Sequence, residues 1–174
     1  MNHNNHQSNK NAGYSIKDFL PLIILFIIIL ICSIAGQFLP MGPFKFNLHL
    51  FMREFMGFFF VIFGLFKVIN LNNFAEAYST YDVIAKKSKV YAYIYPFIEI
   101  FLGIAYLMNL YPKITNIITL VIMLISALGV FIELKKGKQI VCACLGTVFK
   151  IPMTYVTLFE DLLMAFMALL MLFI

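Results

Sequence analysis

The chain reads as an all-α polytopic membrane protein, and three features of its 174 residues predict that class. Hydrophobic residues make up 63% of it and charged residues only 12%, against roughly 25% charged in a soluble domain. A water-soluble fold of this size leaves too much area exposed to hide that apolar surface. The apolar residues also fall into runs of about twenty, the length that crosses a ~30 Å hydrocarbon core as a helix. The basic residues lie between those runs, where membrane-flanking charge belongs.

Taken in order, residues 1–17 are polar and Asn-rich, with His3 and His6, and carry too few apolar groups to fold; they read as a disordered tail. Residues 18–40 form the first transmembrane helix, charge-free from Phe19 onward. Ser33-Ile34-Ala35 resembles a signal-peptide cleavage site, but the apolar run continues past it behind a weakly basic start, so an uncleaved anchor is expected. Gly42-Pro43 breaks the chain. The second span covers about Leu50–Leu71, with Gly57 and Gly64 placed to let a neighbouring helix approach closely. In Asn72–Lys89, Phe74, Ala77, Tyr78, Tyr81 and Ile84 recur at helical steps, which predicts an amphipathic helix in the interface. The third span is Val90–Tyr111, closed by Pro112-Lys113, and the fourth is Ile114–Leu134. A loop over Gln139–Ile151 follows, and Pro152, suited to a first helical turn, opens the last span.

The net charge of +5 tracks the loops and makes no basic face with interleaved aromatics, so nucleic-acid binding is excluded. Lys10, Lys17, Lys67, Lys86, Lys87, Lys89, Lys135, Lys136, Lys138 and Lys150 fall on one side. Only Lys45, Arg53 and Lys113 fall on the other. Ten against three predicts an inner-membrane protein with its N-terminus inside and its C-terminus outside.

Cys142-Ala143-Cys144-Leu145-Gly146 is the sharpest local motif. Two cysteines at i and i+2 can be joined only in a turn, because a disulfide needs converging Cβ vectors. Such a tight bridge is easily reduced, the property of an exchanging disulfide. The same thiolates suit a soft ion such as Cu(I) or Hg(II), and the plain alternative is two small residues filling a gap between helices. Cys32, mid-span, is expected to be packing. With no phosphate loop, hydrolase triad or zinc-helix motif in the chain, no conventional cofactor is expected.

The second feature is a set of ionisable groups inside apolar spans: Lys67, Glu99, Glu160 and Asp161. Each costs about 2.5–3.5 kcal/mol at mid-membrane, so such groups face the bundle interior and pair. Lys67 is the nearest candidate partner for Glu99, with snorkelling to the interface as its alternative. Glu160 and Asp161 are about 100° apart on a helix, which predicts that only one turns inward. The stripe of Thr154, Thr157 and Asp161 nominates Asp161.

Gly64-x-x-Lys67 with Phe74 and Tyr81, then Pro96-x-x-Glu99-x-x-x-Gly103, then Cys142-x-Cys144-x-Gly146, resembles the MauE (methylamine-utilisation) branch of the DoxX-like membrane proteins. The turn has Cys-Ala-Cys-Leu-Gly where many relatives have Cys-Gly-Cys-Phe-Gly, which keeps both thiols. The resemblance implies a four-helix membrane domain over 50–174, with the first helix as an addition. It also implies a role in disulfide formation during maturation of a partner, alongside a thioredoxin-like or other thiol-redox protein. Cys142 and Cys144 would then be the exchanging pair, with Lys67, Glu99 and Asp161 as supporting intramembrane groups. One tension stands: disulfides form outside the cytoplasm, whereas the lysine count puts the turn inside. Three readings stay open, namely thiol–disulfide redox, soft-metal handling through the same two cysteines, and a membrane scaffold.

Overall fold

The computed structural model describes residues 16–38, 46–136 and 154–173. These form six helices: α1 Ile16–Gly36, α2 Leu48–Ile69, α3 Leu71–Tyr78, α4 Lys89–Leu107, α5 Pro112–Lys135 and α6 Thr154–Phe173. All are helical, as an apolar milieu without water demands of any backbone that crosses it. α4, α5 and α6 are each long and apolar enough to span a membrane, and α2 and α3 meet that measure only together, as a pair bent by 104°. α1 runs for 21 residues, enough for the ~30 Å core, and its stretch from Leu20 to Gly36 is apolar. Large hydrophobic side chains are exposed along these helices, among them Ile31, Phe101, Ile117, Leu128 and Phe166. That outward apolar surface suits lipid.

Two helix pairs carry the fold, α2 with α4 and α5 with α6. The α2–α4 crossing is set by glycines. A Cβ on Gly103 would stand 2.8 Å from the Gly57 carbonyl oxygen, and one on Gly64 would stand 3.1 Å from the Pro96 carbonyl oxygen. Where no side chain stands, the backbones close up. α1 leans on α2 through Phe26, whose ring lies 5.8–6.4 Å from those of Phe55, Phe59 and Phe63. The Gln37 side-chain oxygen accepts from the Asn47 backbone amide at 3.1 Å, and Asn47 in turn caps α2 by accepting from the Leu50 amide.

The interfacial helix is shorter than its periodicity predicts. α3 stops at Tyr78 because Asp82 takes the next turn: its Oδ1 accepts from the amides of Ile84 and Ala85 at 2.9 and 2.7 Å. A side chain that captures backbone donors competes with the helix in this way. The turn rests on Gly129 of α5, where a Cβ would meet the Tyr81 carbonyl oxygen at 2.7 Å. Tyr81 is therefore buried in the core while Ile84 stays outside. At the same end, Lys86 and Lys136 both donate to Glu133 Oε1, at 2.5 and 2.8 Å.

At the opposite end, α4 stops at Leu107 and a tight turn places Asn109 and Tyr111 at positive φ, 53° and 40°. The third span thus ends before the predicted Tyr111. Close by, the buried Tyr106 hydroxyl donates to Asn116 Oδ1 at 2.7 Å, joining α4 to α5. Tyr106→Phe is expected to cost about 1 kcal/mol, the scale of an interhelical hydrogen bond in a membrane bundle. Thermal unfolding in detergent checks it.

Candidate polar site inside the bundle

Lys67 sits in the last turn of α2, and Glu99 sits three residues beyond Pro96 in α4. The glycine crossing brings them together across 32 residues of sequence. Lys67 Nζ donates to both Glu99 oxygens, at 2.5 and 2.6 Å. Lys67 is 8% exposed and Glu99 3%, so the lysine pairs inside the bundle and does not snorkel. Its ammonium also stands 5.6 Å from the centre of the Phe74 ring and 5.2 Å from that of Tyr95, close enough for cation–π attraction. Tyr78 stacks behind them, 4.5 Å from Tyr95 and 5.1 Å from Phe74.

This pair lines one side of a cavity whose other side is Ser126 of α5 and Thr157, Glu160 and Asp161 of α6. About 20 Å³ of it is open to the centre of a water molecule, room for one or two waters. The expectation that only one of Glu160 and Asp161, namely Asp161, points inward is corrected here. Both line the cavity, and Glu160, at 4% exposed, is the more deeply buried. The cavity lies between the two helix pairs, and its wall takes in more than the 100° of arc that separates neighbouring residues on α6. Ser126 stands within hydrogen-bonding reach of Asp161. Glu160 Oε1 and Asp161 Oδ2 are buried, and neither has a hydrogen-bond partner among the described residues.

Tyr81 completes the wall from the turn outside the spans. Burial, reinforced by the neighbouring Asp161 carboxylate, pushes its phenol well above the ordinary tyrosine range. It stays protonated and offers the cavity a donor. Among the described residues no three His, Cys, Asp or Glu side chains converge as they would on a metal ion.

Cys142, Cys144 and Gly146 lie outside the described residues, as do His3, His6, Lys45, Lys138, Lys150 and Pro152. Within the polar stripe the Thr154 side chain does too, while Thr157 is buried against the cavity. Cys32 is half-buried in α1 and has no disulfide partner among the described residues.

Compared with known families, residues 45–174 match the model of the methylamine utilisation protein MauE. The chain belongs to the MauE family. The match starts just before α2 and leaves α1 outside it, so α2 to α6, the polar cavity and the Cys-x-Cys motif all fall within the MauE segment. No curated protein and no solved structure matches the chain. As a MauE-family member it is a multi-pass membrane protein associated with methylamine utilisation.

Sequence reasoning missed Glu160 and Ser126 as members of the site. Nothing at Ser126 marks it out from other small polar residues in a span. Glu160 carried a signal, because a second carboxylate beside Asp161 in an apolar run has nowhere inexpensive to go.

Proposed function

We propose that this MauE-family chain is a membrane thiol–disulfide exchange protein that assists maturation of a partner, with Cys142 and Cys144 as the exchanging pair. The observation that carries the reading is the Cys-x-Cys motif inside the matched segment. Its position in the chain between α5 and α6 adds support, because the ends it joins are the end of one span and the start of the next.

The step balances without a further reagent. A partner thiolate attacks one sulfur of the Cys142–Cys144 disulfide, forming a mixed disulfide and releasing the other cysteine as thiolate. The partner's second thiolate then attacks that bond. The partner leaves as a disulfide, and the pair remains as a dithiol with two electrons gained. A thioredoxin-like protein in its disulfide form restores the pair by the same two attacks in the opposite sense. Orientation sets the direction of flow. On the oxidising side the pair makes disulfides in its partner. On the cytoplasmic side, which the lysine distribution favours, it takes electrons from the thiol pool. The intramembrane groups Lys67, Glu99 and Asp161 have a supporting part: Lys67 and Glu99 tie α2 to α4, and Asp161 belongs to α6, the helix that follows the motif in the chain.

The test is thiol trapping in membranes, in a Cys32→Ala background. Either Cys142→Ala or Cys144→Ala lacks the resolving sulfur and is expected to retain its partner as a reductant-sensitive adduct of higher mass. The variant lacking both cysteines is expected to retain none. Absence of an adduct from both single variants, or its persistence in the double variant, overturns the reading. Stoichiometric Cu(I) binding by the wild type, lost in the same variants without any adduct, would assign the motif to soft-metal handling instead.

A further inference from the structure

We propose that the cavity between the two helix pairs is a binding site for one water-sized monovalent cation, held by Glu160 and Asp161. The cavity walls hold three carboxyls and one ammonium. Both hydrogen bonds of Lys67 go to Glu99, so that pair neutralises itself. Glu160 and Asp161 are left facing the same enclosed space, each with a buried oxygen that meets no donor among the described residues. A buried polar atom without a partner costs free energy, and a buried negative charge costs more. A monovalent cation shared by the two, with one carboxyl ionised and the other protonated, removes both costs.

Size and charge narrow the class. About 20 Å³ open to a water centre excludes an organic amine with a bulky substituent and admits sodium, potassium or ammonium. Hard cations take oxygen ligands. Glu160 Oε1 and Asp161 Oδ2 supply two, and the Ser126 hydroxyl beside Asp161 supplies a third. A divalent ion is disfavoured, because no three acidic, His or Cys side chains converge on one point among the described residues. The proposal is independent of the cysteine reading, since no sulfur takes part.

The experiment is thermal unfolding of the purified full-length protein in detergent, at fixed pH and ionic strength. Sodium, potassium and ammonium chloride are compared with the bulky cation N-methylglucamine. One of the three small cations is expected to raise the midpoint saturably, by roughly 5 °C at about a hundredfold excess over its Kd. Glu160→Gln and Asp161→Asn are each expected to weaken that response at least tenfold in concentration, and the double variant to abolish it. Should the variants fail to fold, calorimetric titration of the wild type with the same salts reads the site directly. Equal midpoints and no heat in all four salts overturn the proposal, as does a response that the double variant retains. A midpoint that follows pH but no cation overturns it too, because protons alone would then satisfy the two carboxyls.

Discussion

Lys67→Met is expected to destabilise the bundle by about 3–5 kcal/mol, the cost of leaving one member of a buried ion pair behind. Lys67 Nζ bonds both oxygens of Glu99, and its position near Phe74 and Tyr95 adds cation–π attraction. Without it, Glu99, Glu160 and Asp161 share one cavity with no ammonium among them. For a chain of this length the loss corresponds to a fall in unfolding midpoint of about 10 °C. The double variant Lys67→Met with Glu99→Gln removes both charges while keeping their volume, and is expected to recover most of the loss. The non-additivity of the two changes measures the coupling. A double variant no more stable than Lys67→Met alone would show that the pair does not act as a pair.

Gly103→Val carries the second large effect. A Cβ there would lie 2.8 Å from both the Gly57 carbonyl oxygen and the Val61 amide nitrogen, and 2.7 Å from a Val61 methyl. Two of those neighbours are backbone and cannot swing away, so α2 and α4 must part. Overpacking of this kind costs about 1–3 kcal/mol in an ordinary core, and more where a whole helix has to shift. The same shift would pull Lys67 from Glu99, because those residues lie further along the same crossing. Gly57→Ala is expected to be milder, since a Cβ there meets mainly the flexible end of Leu107, at 2.6–2.7 Å, and the Gly103 carbonyl only at 3.3 Å. Unfolding midpoints in detergent rank the two. Equal losses would remove the distinction between backbone and side-chain obstruction.

The helices were legible because apolar runs of about twenty residues have few uses outside a bilayer. Their ends were less so. The periodicity of Phe74, Tyr78 and Tyr81 extends past α3, yet Asp82 draws the amides of Ile84 and Ala85 into a turn. No hydrophobic pattern records which oxygen a backbone amide will choose. The run after Leu107 is likewise apolar in part, and the positive φ of Asn109 and Tyr111 ends the helix there.

By itself the sequence determined the class of solvent, the MauE affiliation and the identity of the ionisable groups that must turn away from lipid. These follow from composition, run length and local motif, which are properties of a chain before it folds. Only the tertiary structure decided that Lys67 meets Glu99, that Glu160 joins Asp161 at one cavity, and that Ser126 belongs beside them. Those meetings depend on how closely α2 and α4 cross at their glycines and on the arc of α6 that faces inward. Both are set by contacts between segments far apart in the chain.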